Sequence, residues 1–205
     1  VFPEIDALWG IPNPEKWHPE IDTGVHIMMV LEQAALLTKD PVTRFAALCH
    51  DLGKALTPSD NWPHHHGHEK LGLKPLQQLC KRLKVPNEYK ELANLTCEFH
   101  THTHRVFELK ATTIVNLLNK LDVWRKPARF DAFLIACTAD MRGRTGFENK
   151  DYPQAEYMRE IAQTCMAISA KQFVEKGFQG KAIKDAIDQA RVAIIKSAYN
   201  NNDVK

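Results

Sequence analysis

Apolar residues recur at helical spacing along almost the whole chain, and no stretch alternates with the two-residue period of a strand. In residues 24–38, Ile27, Val30, Leu31 and Ala34 fall at i, i+3, i+4 and i+7, which lays one stripe along a helix. Asp40-Pro41 reads as an N-cap followed by a first-turn proline, opening a helix through Val42, Phe45, Ala46 and Cys49, with Gly53 as its stop. A loop rich in proline and histidine follows, from about Thr57 to Gly67. Leu73, Leu76, Leu79 and Leu83 mark the next helix. Pro86-Asn87 starts another, over 87–100, carrying Leu92, Leu95 and Phe99. Residues 110–122 make a fifth. Pro127 opens a sixth, with Phe130, Phe133, Leu134 and Cys137 on one face. Asp151, two residues before Pro153, is expected to cap a long seventh helix reaching about Glu175. Gly177 breaks it, and 181–198 form an eighth. The reading is all-α: a bundle of about seven to eight helices, with extra helices toward the C-terminus.

With 205 residues and 44% hydrophobic content, the chain can build a core without a disulfide or structural metal. A net charge of +2 does not by itself point to nucleic acid. The five cysteines stand without a CxxC and are expected to be buried thiols, which fits a cytoplasmic protein. No apolar run is long enough to span a membrane, so no membrane partner is expected. The chain starts without Met and without a signal-peptide pattern, which suggests a piece of a longer polypeptide.

Histidine is the unusual count, at 10. His50-Asp51 closes the apolar helix as Ala-Leu-Cys-His-Asp-Leu-Gly-Lys. As a dipeptide it is uninformative, but a carboxylate beside buried residues needs a hydrogen bond, a cation or a metal. His26 shares a helix face with Val30 and Leu37, and Asp140 continues the stripe of Phe133, Ala136 and Cys137. Singly, His50-Asp51 reads as a capped helix end with a surface ion pair and His26 as a hydrogen-bonded core residue, while an inward Asp140 calls for a metal, Lys or Arg. Together, imidazoles and carboxylates without thiolate suit Mn, Fe, Co, Ni or Mg better than a closed structural zinc site.

His26, then His50-Asp51 with Gly53-Lys54, then Asp140, resembles the H…HD…D signature of HD-domain metal-dependent phosphohydrolases, an all-α family that hydrolyses phosphate esters. His68, in Gly67-His68-Glu69, and His100 resemble the extra histidines of the form that holds a second metal. The motifs around Phe2-Pro3-Glu4-Ile5-Asp6, Trp17-His18-Pro19-Glu20-Ile21-Asp22, Phe99-His100-Thr101-His102 and Ala139-Asp140-Met141-Arg142-Gly143-Arg144 are similar to the C-terminal HD domain of bacterial CCA-adding tRNA nucleotidyltransferases. That resemblance covers essentially the whole chain, beginning at Val1. It implies a linker over residues 1–20, an HD core over 21–145, and a C-terminal helical extension over 146–205 packed on that core. An N-terminal nucleotidyltransferase domain would belong to the same polypeptide. Its Gly-Ser turn with Asp-x-Asp is not found here.

The resemblance implies 2′,3′-cyclic phosphodiesterase, 2′-nucleotidase and phosphatase activity, with Ni²⁺ favoured and Mn²⁺, Co²⁺ or Mg²⁺ as alternatives. Its substrates would be tRNA 3′ ends or small phosphorylated nucleotides. His26, His50, Asp51 and Asp140 would hold the first ion, and Asp51 would bridge to a second held by His68 and His100. The catalytic residues would be His50, Asp51 and Lys54, the last able to neutralise phosphate. Arg142 and Arg144 would grip phosphate, although a cation at a helix end accounts for them almost as well. His100, His102 and His104 compete for one role. His100 and His104 share a helix face, but Thr101 and Thr103 suggest that the helix is ending, so His100 is preferred. His64, His65 and His66 read as solvated or substrate-facing, and Trp9, Trp17, Trp62 and Trp124 as packing rather than base-stacking. The alternative to an enzyme is a catalytically silent helical module that binds tRNA or dimerises. A homodimer is left open.

Overall fold

The computed structural model describes residues 2–202. Val1 and residues 203–205 of the expected C-terminal extension lie outside the described residues. The structure is helical, with no strand among the described residues beyond one isolated bridge between Pro12 and Asp22. Eight helices run nine residues or longer: α2 (Thr23–Leu37), α3 (Pro41–Cys49), α5 (Leu73–Arg82), α6 (Asn87–His104), α7 (Ala111–Lys120), α8 (Pro127–Arg142), α9 (Pro153–Met166) and α11 (Lys181–Asn202). Single turns α1 (Pro3–Asp6), α4 (His68–Leu71) and α10 (Lys171–Val174) complete the set.

Local chemistry sets several starts. Asp22 accepts from the Val25 N–H at 3.0 Å to open α2, and Asp40 accepts from the Val42 and Thr43 N–H groups ahead of Pro41 to open α3. A cap of this kind contributes about 1 kcal/mol. The centre is made by α2, α3, α6 and α8, which pack on one another with Ile27, Ala46, Cys97 and Phe133, one from each, fully buried in the main core. Each of these four central helices carries polar residues of the site on its inner face. Residues 2–20, expected as a linker, fold back on the bundle: Leu8 is fully buried in the main core, and the Thr23 hydroxyl donates to the Ile11 carbonyl.

Three boundaries differ from expectation. The helix 87–100 continues to His104, because Thr103 is fully buried and packing overrides its β-branched propensity. The long seventh helix ends at Met166. Beyond Cys165 no side chain of this stretch reaches the core, and Gln172 turns back to donate to the Ala167 carbonyl. Asp151 does not cap it. Tyr152 holds the N-cap position and its hydroxyl faces His104.

Two glycines bring the site's walls together. A Cβ on Gly53 would collide with the His68 carbonyl, so the turn after Asp51 approaches α4 only because residue 53 lacks one. Gly53 has an ordinary helical φ, so close approach rather than helix stopping explains it. Gly143 lies against Val30 in the same way and brings the end of α8 onto α2.

Candidate metal centre

The four central helices deliver their polar residues to one point. His26 comes from α2, His50 and Asp51 from the end of α3, His100 and His104 from α6, and Asp140 from the last turn of α8. His68 enters from α4. His26, His50, Asp51, His100 and Asp140 are all at least 96% buried.

The hydrogen bonds fix which ring nitrogen carries each proton. His50 Nδ1 lies 2.7 Å from the Ala47 carbonyl, His68 Nδ1 2.9 Å from the His65 carbonyl, and His100 Nδ1 2.9 Å from the Thr96 carbonyl. His26 Nδ1 lies 3.0 Å from the Gly143 carbonyl and 2.9 Å from Glu20 Oε1. Carbonyls and carboxylates only accept, so Nδ1 donates in every case. In the neutral ring Nε2 is then a lone pair.

All four Nε2 atoms point at carboxylates. His26 Nε2 is 3.1 Å from Asp140 Oδ1, and His50 Nε2 is 3.2 Å from Asp51 Oδ2 and 3.5 Å from Asp140 Oδ1. His68 and His100 Nε2 lie 3.2 and 3.5 Å from Asp51 Oδ1. Within this packed group, His50 Nε2 and Asp51 Oδ1 are buried without a hydrogen-bond partner. Lone pairs facing anions repel, so positive charge is required between them. Protonation is one source. Burial opposes a charged His50, yet the Asp51 and Asp140 charges outweigh it and raise its pKa to about 10. The same attraction holds both carboxyls well below their usual range despite burial. A divalent cation is the other source, and an all-imidazole and carboxylate donor set fits one. Donor atoms of His26, His50 and Asp140 lie within 4.8 Å of one another, and so do those of His50, Asp51 and His100. Asp51 turns one oxygen toward each group.

The centre opens on a cavity of about 300 Å³. Lys54 and Arg144 line it. Lys54 Nζ lies 2.7 Å from Asp51 Oδ2 and donates to Asn13 Oδ1 at 2.8 Å, leaving its third N–H uncommitted. Arg142, expected beside Arg144, donates instead to the Lys150 carbonyl and is absent from the lining. His102 packs on Phe99, away from the centre. Of the loop histidines, His64 and His65 both line the cavity; His64 stacks on His66, and His65 is also a buried brace between Thr57 and the Pro12 carbonyl. Trp9 lies on Gly24, Trp62 donates to Thr57, and Trp124 stacks under Arg191. Trp17 is 56% exposed at the cavity mouth.

Several positions at the centre are passed over in the sequence: His104 is weighed there and set behind His100, and the others are given no role. His104 Nε2 lies 2.6 Å from Asp140 Oδ2, and the Tyr152 hydroxyl meets its other nitrogen at 2.8 Å. Helical spacing from His100 was the available signal for His104. Nothing signalled Tyr152. Asn13, His18 and Glu20 come from the folded-back start of the chain. Burial pushes the His18 pKa down to about 4, so this ring is neutral and donates from Nδ1 to Glu20.

The segment that carries His26, His50, Asp51, His68, His100 and His104 is matched by family comparison. Residues 23–124 match the family model described as HD domain, and the chain belongs to the HD-domain family. It is 53% identical over 207 residues to the multifunctional CCA protein of Haemophilus influenzae (strain PittGG), across 98% of this chain and 50% of that protein. To the multifunctional CCA protein of Pseudoalteromonas atlantica it is 54% identical over 194 residues, across 95% and 48%. The chain thus spans about half the length of the curated relatives it matches. No solved structure gave a significant match. Among the described residues, no helix is long and apolar enough to cross a membrane.

Proposed function

We propose that this chain is a metal-dependent phosphohydrolase acting on the 2′,3′-cyclic and 2′ phosphoesters of nucleotides or tRNA 3′ ends. The observation that carries this reading is the convergence of four Nε2 lone pairs on Asp51 and Asp140, beside a cavity lined by Lys54 and Arg144. His26, His50, Asp51 and Asp140 would hold one divalent ion, and Asp51, His68 and His100 a second. Ni²⁺, Mn²⁺, Co²⁺ and Mg²⁺ are all compatible with these donors. When bound, such an ion acidifies a water and polarises phosphoryl oxygens.

The residues of the chain supply the rest. The backbone carbonyls hold the imidazoles in the tautomer that leaves Nε2 free. Lys54 and Arg144 offer charged N–H groups to the phosphate. In the reaction, water's oxygen bonds to phosphorus, the P–O bond to the ribose 2′ or 3′ oxygen breaks, and that oxygen takes up a proton. The setting we propose is cytoplasmic, with an N-terminal nucleotidyltransferase domain in the same polypeptide; the chain spans about half the length of its curated relatives.

The test is hydrolysis of 2′,3′-cyclic nucleotides by the purified chain, loaded in turn with each ion and compared with its chelated form. Turnover that requires metal and is lost in Asp51→Ala supports the reading. Metal binding without turnover of any phosphoester would leave a silent tRNA-binding or dimerising module.

A further inference from the structure

A cleft of about 440 Å³ opens between α5 and α6 and shares no lining residue with the cavity over the metal centre. Its floor is apolar: Leu76 and Cys80 of α5 are buried there, and the half-buried Val85 joins them. Its lining adds three ammonium groups, Lys81, Lys84 and Lys90, and no acid. Among the described residues none of the three forms an ion pair, whereas neighbouring Arg82 is taken up by Glu4. Lys84 stands in the left-handed turn that ends α5 (φ 52°), where glycine fits at least cost, so the chain places a cation at the cleft instead of bare backbone.

On the α6 wall, Asn94 Oδ1 is buried with no hydrogen-bond partner. Buried acceptors are seldom left alone, and an N–H or O–H from an occupant would complete this one. Like charges gathered without a counter-ion repel, and an anion relieves them. A patch of solvated lysines needs neither an apolar floor nor an orphaned acceptor. Here all three features meet in one cleft, and its volume falls within the range of about 300–1000 Å³ that suits small molecules. Cys80 is the only thiol in the lining, and it stays protonated: burial raises its pKa, and the Lys90 charge offsets this only in part. The cleft is thus equipped to hold a ligand rather than to convert it.

We propose that the α5–α6 cleft is a binding site for a small organic anion. The charge lies among Lys81, Lys84 and Lys90, the apolar body rests on Leu76, Cys80 and Val85, and one N–H or O–H is donated to Asn94 Oδ1. The site stands apart from the phosphohydrolase reading and does not depend on it.

The test uses 8-anilinonaphthalene-1-sulfonate, which combines an anionic group, apolar rings and one N–H. Fluorescence titration of the purified chain should show one saturable site, weakened by salt. N-phenyl-1-naphthylamine, the same molecule without its sulfonate, should bind at least about tenfold more weakly, because the charge-assisted contacts are gone. Lys84→Glu/Lys90→Glu should bring the anion down to the level of the neutral probe and leave the neutral probe unchanged. Asn94→Leu, which nearly keeps the volume, should weaken both probes severalfold. Amide ¹H–¹⁵N shifts induced by the anion should centre on residues 76–94. Shifts centred elsewhere, equal binding of the two probes, or an anion affinity that the lysine variant does not move overturns the proposal. Circular dichroism melts separate loss of the site from loss of the fold. Should the double variant unfold, Lys84→Ala alone decides: lowered anion affinity supports the site, and unchanged affinity overturns it.

Discussion

His68 Nε2 and His100 Nε2 stand 3.4 Å apart, and neither is free to donate to the other. Each ring commits its Nδ1 proton to a backbone carbonyl, so two lone pairs face one another across a gap that also contains Asp51 Oδ1. A cation in that gap converts two repulsions and an unpartnered carboxylate oxygen into three ligand bonds. The pair thus carries the case for a second ion.

Metal stoichiometry is the first consequence. His68→Ala and His100→Ala should each lower bound metal from about two ions per chain to about one, read by inductively coupled plasma mass spectrometry, while His102→Ala changes nothing. Saturating metal at 100 times its Kd should stabilise the chain by about 2.7 kcal/mol. A wild-type content of one ion would reassign His68 and His100 to substrate.

The ligand-type residues were legible in the sequence because helices carry them: His26 and Asp140 lie on stripes that are otherwise apolar, and a stripe announces its inward side. His104 was visible only as a partner of His100, and local propensity argued against it. Thr101 and Thr103 weaken an isolated helix, but Thr103 is buried in the bundle and the helix runs on. Glu20 and Tyr152 could not be read at all. Their roles come from chain segments that meet the site across tertiary contacts, one from the folded-back start and one from the turn before α9. Arg142 and Arg144 look equivalent in sequence, yet two residues of helix end are enough to turn one to the Lys150 carbonyl and the other to the cavity.

Asp51 holds the centre together and also balances Lys54, which is only 6% exposed. Asp51→Ala should abolish hydrolysis, a loss of several orders of magnitude in kcat. It should also destabilise the fold by about 3–5 kcal/mol, because it strands a buried ammonium. The double variant Asp51→Ala/Lys54→Met should recover much of the stability and none of the activity, as read by urea denaturation and turnover. Stability that stays low in the double variant would show that the ammonium is not the cause.

Stability of the chelated chain should peak near pH 6.5 and fall on both sides. Burial takes His18 and His100 down to about 4, so between pH 6.5 and about 4 the unfolded chain binds protons that the folded chain refuses. Stability then drops as pH falls. On the alkaline side, burial is outweighed at His50 by Asp51 and Asp140, and the folded chain keeps a proton up to about pH 10 that the unfolded chain has lost. Stability contributed by that proton is present below 6.5 and drains away as pH rises. Metal supplies the same charge without a proton, so loading should flatten the alkaline limb. Melting temperatures across pH 4–10, with chelator and with Ni²⁺, measure this; an identical alkaline slope in both would rule out an ion at His50.

Gly53 is expected to tolerate no side chain. In Gly53→Ala the new methyl meets the His68 carbonyl, and its neighbour on the far side is the Gly72 backbone, so no flexible side chain can yield. Overpacking of this kind costs about 1–3 kcal/mol. Relief requires α4 to move outward, which carries His68 away from Asp51. The variant should therefore lose metal selectively from the His68–His100 side and keep the ion of His26 and Asp140. Full metal content with a lowered melting temperature would show that the turn shifts instead of α4.

Glu20 should matter more than its distance from the carboxylates suggests. One of its oxygens, Oε1, lies 2.9 Å from Nδ1 of both His26 and His18, and hydrogen bonds from these rings hold its carboxyl well below the usual range in spite of burial. The charge does two things: it keeps the His26 proton on Nδ1, and it makes Nε2 a stronger donor to a cation. Outer partners of this type are commonly worth about 10–100-fold in metal affinity. Glu20→Gln keeps an accepting oxygen and should lose the lower part of that range, while Glu20→Ala should lose the upper part. Isothermal titration with Ni²⁺ gives the affinities, and histidine ring ¹⁵N shifts report the tautomer. The Gly143 carbonyl, 3.0 Å from the same Nδ1, remains to hold the ring. If that carbonyl suffices, Glu20→Ala will bind metal as tightly as wild type, and the role assigned to the carboxylate will be wrong.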